Sequence, residues 1–186
     1  MTREQINALR RILEREAVTY QARIGRPAPG QHQSEDKVAV TDGNICVLLD
    51  ATIPDLPMGD RADSFASIIR NERSSDSYFP VSADQIRASD WRALAKKQAG
   101  DGSGIELTVQ PDSDPFGPGQ SILNLIMGRF NPQLLVDAVD AVGGKPQFFL
   151  GMGRFSSRFP SLLVFPTGWR DNGSSGPVVL VLSLRI

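Results

Sequence analysis

The feature that most constrains this chain is the passage from Ser121 to Arg185. It opens with an apolar run ending at Phe130, followed by Asn131-Pro132. Asn accepts a hydrogen bond from a helix N-terminus, and Pro fits the first helical position, where its missing N–H is no loss. Leu134, Leu135, Ala138, Val139 and Val142 then recur at helical spacing, and Gly143-Gly144 supplies a stop. Three apolar runs follow, at Gln147–Met152, Leu162–Pro166 and Pro177–Arg185. The order is strand, helix, strand, strand, strand. Runs of this kind with short helices between them predict an α+β fold of mostly antiparallel strands.

Upstream, Thr2-x-x-Gln5 is a capping-box pattern, and Ile6, Leu9 and Leu13 continue at helical spacing. The pattern predicts a helix from Arg3 to Tyr20. Gly25 to Asp36 reads as a loop. Lys37–Val40 and Asn44–Ala51 read as strands around Thr41-Asp42-Gly43, since Asp-Gly is a strong turn signal. Phe79–Val81 is a short strand. A helix capped by Ser82 or Ser89 then carries Ile86, Trp91 and Leu94 up to Gly100. Ile105–Gln110 alternates like a half-buried strand. The paired helices over 89–98 and 132–142 predict two βα units in residues 79–186, with their helices side by side on two antiparallel sheets.

Charge and cysteine content narrow the functional classes. Lys and Arg number 20 against 21 Asp and Glu, so bulk attraction to nucleic acid or an anionic membrane is not forced. Charge is uneven: residues 1–26 carry six Arg against three Glu. Arg87, Arg92, Lys96 and Lys97 cluster near one helix, and phosphate contacts need only such cations at intervals. Asp137 and Asp140 give the 132–142 helix an acidic character instead. A single cysteine, Cys46, rules out an intramolecular disulfide and, with a polar N-terminus, favours the cytoplasm. No apolar run is long enough to span a bilayer, so no membrane partner is expected.

Catalytic constellations are weak throughout. His32 is the one histidine and sits in a Pro/Gly/Gln loop, which disfavours zinc ligation or a Ser-His-Asp triad. Asp112 and Asp114 flank a turn, and Gly100-x-Gly102-x-Gly104 lacks the Lys and the strand–helix setting of a phosphate loop. The expectation is a protein with no enzyme activity, no metal and no cofactor.

Phe130-Asn131-Pro132-Gln133-Leu134-Leu135-Val136-Asp137-Ala138-Val139 resembles the strand-to-helix passage "FNP.YLLDAL" of the bacterial DNA polymerase III β subunit, the sliding-clamp family. Val181-Leu182-Ser183-Leu184-Arg185-Ile186 resembles that family's last strand, "V-M-P-M-R-L". Val40-Thr41-Asp42-Gly43-Asn44-Ile45-Cys46 resembles its "ATDGHRLA", with Asn44 and Ile45 in place of His and Arg and Ser183 in place of a Pro. The resemblance implies a DNA-clamp-like fold of βαβββ units, with residues 1–80 a helix plus hairpin forming a partial clamp domain and 81–186 a clamp-like domain. It implies a non-catalytic processivity or docking factor in DNA replication that assembles as a homo-oligomer around double-stranded DNA, without sequence preference. In the family, the two segments line one pocket that captures short hydrophobic motifs of client proteins. The implied peptide-binding residues are Thr41, Gly43, Asn44, Ile45, Cys46, Leu180, Leu182, Leu184 and Arg185, and the implied DNA-binding residues are Arg87, Arg92, Lys96 and Lys97. The Asp42-Gly43 turn is expected to offer free N–H groups to a peptide, and the last strand to be an edge with one face incompletely covered. The alternative is a clamp-fold protein-interaction module or regulator that does not bind DNA.

Overall fold

A computed structural model describes residues 1–15, 20–23, 38–49, 78–87, 91–97, 104–110, 125–152, 159–167 and 176–184. Helix α1 (Arg3–Glu14) starts where the capping box places it. Gln5 N–H donates to Thr2 Oγ1 at 3.2 Å, and Thr2 N–H donates to Gln5 Oε1 at 2.7 Å. The expected extension to Tyr20 is corrected: Tyr20 opens strand β1 (Tyr20–Arg23) and pairs with Thr41 of β2 (Val38–Thr41). The apolar helical spacing stops at Leu13. Val18-Thr19-Tyr20 is β-branched and aromatic, which suits a ladder better than a helix.

The remaining elements follow the predicted order. They are β3 (Ile45–Leu49), β4 (Tyr78–Pro80), α2 (Ala83–Arg87), α3 (Trp91–Lys97), β5 (Ile105–Val109) and β6 (Ile126–Phe130). Then come α4 (Pro132–Val142), β7 (Pro146–Met152), β8 (Pro160–Pro166) and β9 (Val178–Leu182). The single helix expected around Ile86, Trp91 and Leu94 is two helices, α2 and α3. Ser82 Oγ accepts the Gln85 N–H at 3.4 Å, so Ser82 caps the first of them. The expected loops over 25–36 and 111–119 lie outside the described residues.

The fold is α+β with antiparallel pairing. Seven strands form one sheet in the order β1-β2-β3-β9-β8-β7-β4, and β5 pairs with β6 in a second. Strands on both sides of residue 80 are therefore neighbours in one sheet. The side chain of Gln85 supports the small sheet by donating to the Thr108 carbonyl at 2.7 Å and accepting its N–H at 2.8 Å.

Strand β9 is not an edge, contrary to the expectation. It lies between β3 and β8, and Val178 to Val181 are buried. The pleat sends alternate residues to opposite faces. Ile45, Val47, Val179 and Val181 join the main core with the helices, while Cys46, Leu48, Val178 and Leu180 join a second cluster with Tyr78, Leu163 and Phe165. An apolar strand buried on both faces needs no uncovered side to explain its composition.

Helix α4 packs against both α1 and α3 and lies over β9, β8 and β3. Leu9, Ile12, Leu135 and Ala138 are among the buried residues of this layer. Gln5 also closes the far end of α4, donating from Nε2 to the carbonyls of Ala141 at 3.1 Å and Val142 at 3.0 Å. Those carbonyls have no partner within their own helix. At the other end, Asn131 Oδ1 accepts the Gln133 N–H at 2.9 Å, with Pro132 in the first turn. Asn131→Ala is expected to lower stability by about 1 kcal/mol. Urea unfolding should show a lower midpoint with an unchanged slope.

Candidate functional site

The turn from β2 to β3 is built by its own side chains. Asp42 Oδ1 accepts the N–H groups of Asn44 at 2.9 Å and Ile45 at 3.0 Å. Thr41 Oγ1 accepts the Gly43 N–H at 3.0 Å and donates to the Ile45 carbonyl at 2.7 Å. Gly43 has φ +89°, a backbone conformation that suits glycine. These bonds correct one expectation. The N–H groups of Gly43, Asn44 and Ile45 are already satisfied within the turn and do not await a peptide.

The turn is tied to the end of β9. Leu182 N–H donates to the Asn44 carbonyl at 2.8 Å. The chain then passes beside β8 and β6, with Ser183 N–H on the Pro160 carbonyl at 3.3 Å and Leu184 N–H on the Arg129 carbonyl at 2.7 Å. Between turn and tail lies a cleft of about 430 Å³. Asp42, Gly43 and Asn44 line one side, and Leu182, Ser183 and Leu184 line another. Asn131 and Leu134 from the start of α4, and Arg15 from the end of α1, complete it.

Four of the nine residues expected to bind a peptide line this cleft: Gly43, Asn44, Leu182 and Leu184. Thr41 is buried and holds the turn. Ile45, Cys46 and Leu180 are fully enclosed core residues rather than cleft wall. Their alternation along buried strands carries them into the two clusters. Burial, and secondarily the Asp42 charge, pushes the Cys46 thiol far up, away from nucleophilic chemistry. Arg185 lies outside the described residues. Asn131 and Leu134 were visible as part of a helix start, but nothing local marks Arg15 as their neighbour.

Arg15 belongs to a charge network behind the cleft. Its guanidinium bonds Asp137 and lies 3.6 Å from Asp42. Arg11 Nε donates to Asp137 Oδ1 at 2.8 Å, and its Nη2 donates to Asp140 Oδ2 at 2.8 Å. Gln133 Nε2 adds a bond to Asp137 at 3.2 Å. Arg92 bonds Asp140 from α3. The two acids that give α4 its acidic character are thus paired inside the helix layer. Burial raises the Asp137 carboxyl above the ordinary carboxylate range, although Arg15, Arg11 and Gln133 pull it down. Burial lowers the Arg11 guanidinium, but Asp137 and Asp140 outweigh it and leave it raised. Bonding to Asp140 raises Arg92.

Of the expected DNA contacts, Arg92 and Lys96 are exposed on α3, with Arg92 engaged by Asp140. The side chains of Arg87 and Lys97 lie outside the described residues. Among the described residues there is no cluster of metal-ligating side chains and no helix long and apolar enough to cross a membrane. Comparison with protein-family models, with curated proteins and with solved structures finds no match to this chain.

Proposed function

We propose that this chain is a clamp-like, non-catalytic docking protein that captures a short hydrophobic motif of a client in the cleft between residues 42–44 and 182–184. One observation carries the reading. Two segments far apart in sequence, each resembling a wall of the clamp family's client pocket, are joined by the Leu182 to Asn44 hydrogen bond and border one cleft. Leu134, Leu182 and Leu184 supply apolar anchoring surface. Asn44, Asn131 and Arg15 supply polar groups at a partly apolar groove, the usual division between affinity and orientation.

In the ring form of this reading, several copies assemble around duplex DNA, with Arg92 and Lys96 near phosphates. The Arg92 to Asp140 ion pair favours the docking form without DNA, because that cation is already neutralised in part. Fluorescence anisotropy separates the two. A labelled client-type hydrophobic peptide is expected to bind saturably at micromolar concentration, with little dependence on salt. A labelled duplex would bind only at low salt if the ring form holds, since phosphate neutralisation releases counterions. Absence of peptide binding at high micromolar concentration would defeat the docking reading.

A further inference from the structure

The two edges of the small sheet are closed in different ways. On the β6 side, the Leu184 N–H donates to the Arg129 carbonyl. On the β5 side, no strand pairs with Ile105–Val109 other than β6 among the described residues. Successive residues of a strand turn their N–H and C=O groups to opposite edges. Thr108 turns both of its groups outward, because both are bonded to Gln85 of α2. Alternation places the groups of Glu106 and Gln110 on the same outer edge, where they meet no backbone partner among the described residues. The side chains of Glu106 and Gln110 are exposed, whereas Leu107 and Val109 are buried in the main core. At Thr108 the Gln85 carboxamide stands where a residue of a neighbouring strand would stand. Its Nε2 donates at 2.7 Å, its Oε1 accepts at 2.8 Å, and the Thr108 hydroxyl lies 3.3 Å from the same oxygen. An open edge is a template for another strand, and folded chains guard such edges. Here the guard is one side chain on a helix of 5 residues, set between two outward residues that it leaves open.

We infer that the outer edge of β5 is a self-pairing surface latched by Gln85, to which β5 of a second copy adds antiparallel with the two-fold axis at Thr108. In that register Thr108 exchanges backbone hydrogen bonds with the partner's Thr108, in the place that the Gln85 carboxamide holds. Glu106 exchanges them with the partner's Gln110. This register engages Glu106, Thr108 and Gln110 together and sets each carboxylate opposite a neutral amide, not opposite its own copy. Thr against Thr is a favourable cross-strand pair, and Leu107 comes opposite the partner's Val109, which continues one apolar face. Gln85 and the short helix that carries it must swing aside, so the two Gln85 bonds oppose association. The surface is separate from the peptide cleft, which neither Gln85 nor any β5 residue lines, and does not rest on the docking reading.

Sedimentation velocity of the full chain measures the association, and amide hydrogen exchange locates it. Gln85→Ala, which removes the latch, is expected to dimerise at least roughly tenfold more tightly than the parent, since two hydrogen bonds no longer oppose it. The Glu106 and Gln110 amides of that variant should exchange more slowly as protein concentration rises. Changes at the exposed Gln110 test the register and leave the latch alone. Gln110→Glu sets a carboxylate opposite the partner's Glu106 and should weaken the Gln85→Ala dimer roughly fivefold, because symmetry repeats the contact. Gln110→Lys should tighten it by a similar factor, and added salt should reduce both effects. In the chain that keeps Gln85, Gln110→Lys should also raise the dimer fraction and Gln110→Glu lower it, which decides the matter if Gln85→Ala folds poorly. A Gln85→Ala chain that stays folded and monomeric at high micromolar concentration would overturn the inference. So would a dimer indifferent to both Gln110 changes, or one that leaves exchange at Glu106 and Gln110 unslowed.

Discussion

Replacing Arg11 and Arg15 together by Ala is expected to destabilise the fold by about 3–5 kcal/mol near pH 8, the loss that follows when a buried charge is stripped of its partners. Asp137 is 0% exposed and both of its oxygens are held by these two arginines. Removing them leaves Gln133 as its remaining side-chain donor among the described residues. The pH dependence follows from the direction of the Asp137 shift. Burial already raises this carboxyl in the folded parent, and without Arg15 and Arg11 the native value climbs further. A carboxyl raised on folding contributes stability that is complete below its unfolded pKa and is lost as pH rises through the native one. The double variant should therefore recover relative to the parent on acidification, as Asp137 takes up a proton in the folded state. Adding Asp137→Asn in the same background should restore most of the loss near neutrality. Urea unfolding of the three proteins at several pH values checks this. A loss that Asp137→Asn leaves untouched would mean that the arginines act through packing rather than charge.

The second large effect is on client binding. Leu182→Asp is expected to weaken a client-type peptide by more than about 2 kcal/mol, roughly thirtyfold, as truncation of an interface anchor does. Leu182 is half-buried, lines the cleft and packs against the cluster that includes Cys46 and Leu180. A carboxylate there repels an apolar peptide and loses solvation when the peptide covers it. Because the same carboxylate also disturbs the cluster, the urea midpoint of the variant must be measured beside its affinity. Asn44→Trp provides a check that leaves the core alone. Asn44 is exposed on the turn, and the large ring should obstruct the cleft while the backbone carbonyl still accepts from Leu182. Both variants should lose peptide binding. Retention of affinity in Asn44→Trp would place the peptide elsewhere.

Local signals in the sequence identified the elements well where chemistry and pattern coincide. Asn131-Pro132 and Gly143-Gly144 bracket α4, and the Asp42-Gly43 turn separates β2 from β3. The three strands after α4 follow from apolar runs. What the pattern could not reveal is which strands become neighbours. Val178–Leu182 is apolar on both faces, which fits an uncovered edge as well as an interior strand. Its place between β3 and β8 is decided by pairing between distant parts of the chain. The same non-locality hid the charge network. Asp137 and Asp140 look solvated on a helix read alone, and their partners Arg11, Arg15 and Arg92 come from two other helices. At the candidate site, the resemblance singled out two segments that border one cleft, but it counted more lining residues than the cleft has. Alternation in β3 and β9 sends Ile45, Cys46 and Leu180 into the core, leaving the turn tip and the residues after Val181 to face the cleft.

The central claim is that a client peptide docks where the β2–β3 turn meets the end of β9. Backbone NMR of the isotopically labelled chain, recorded while an unlabelled client-type hydrophobic peptide is added, tests it most directly. The predicted result is a set of saturable shifts concentrated at Asp42 to Asn44, at Leu182 to Leu184, and at Asn131 and Leu134, with Arg15 following. Shifts scattered over the sheet away from both segments would contradict it.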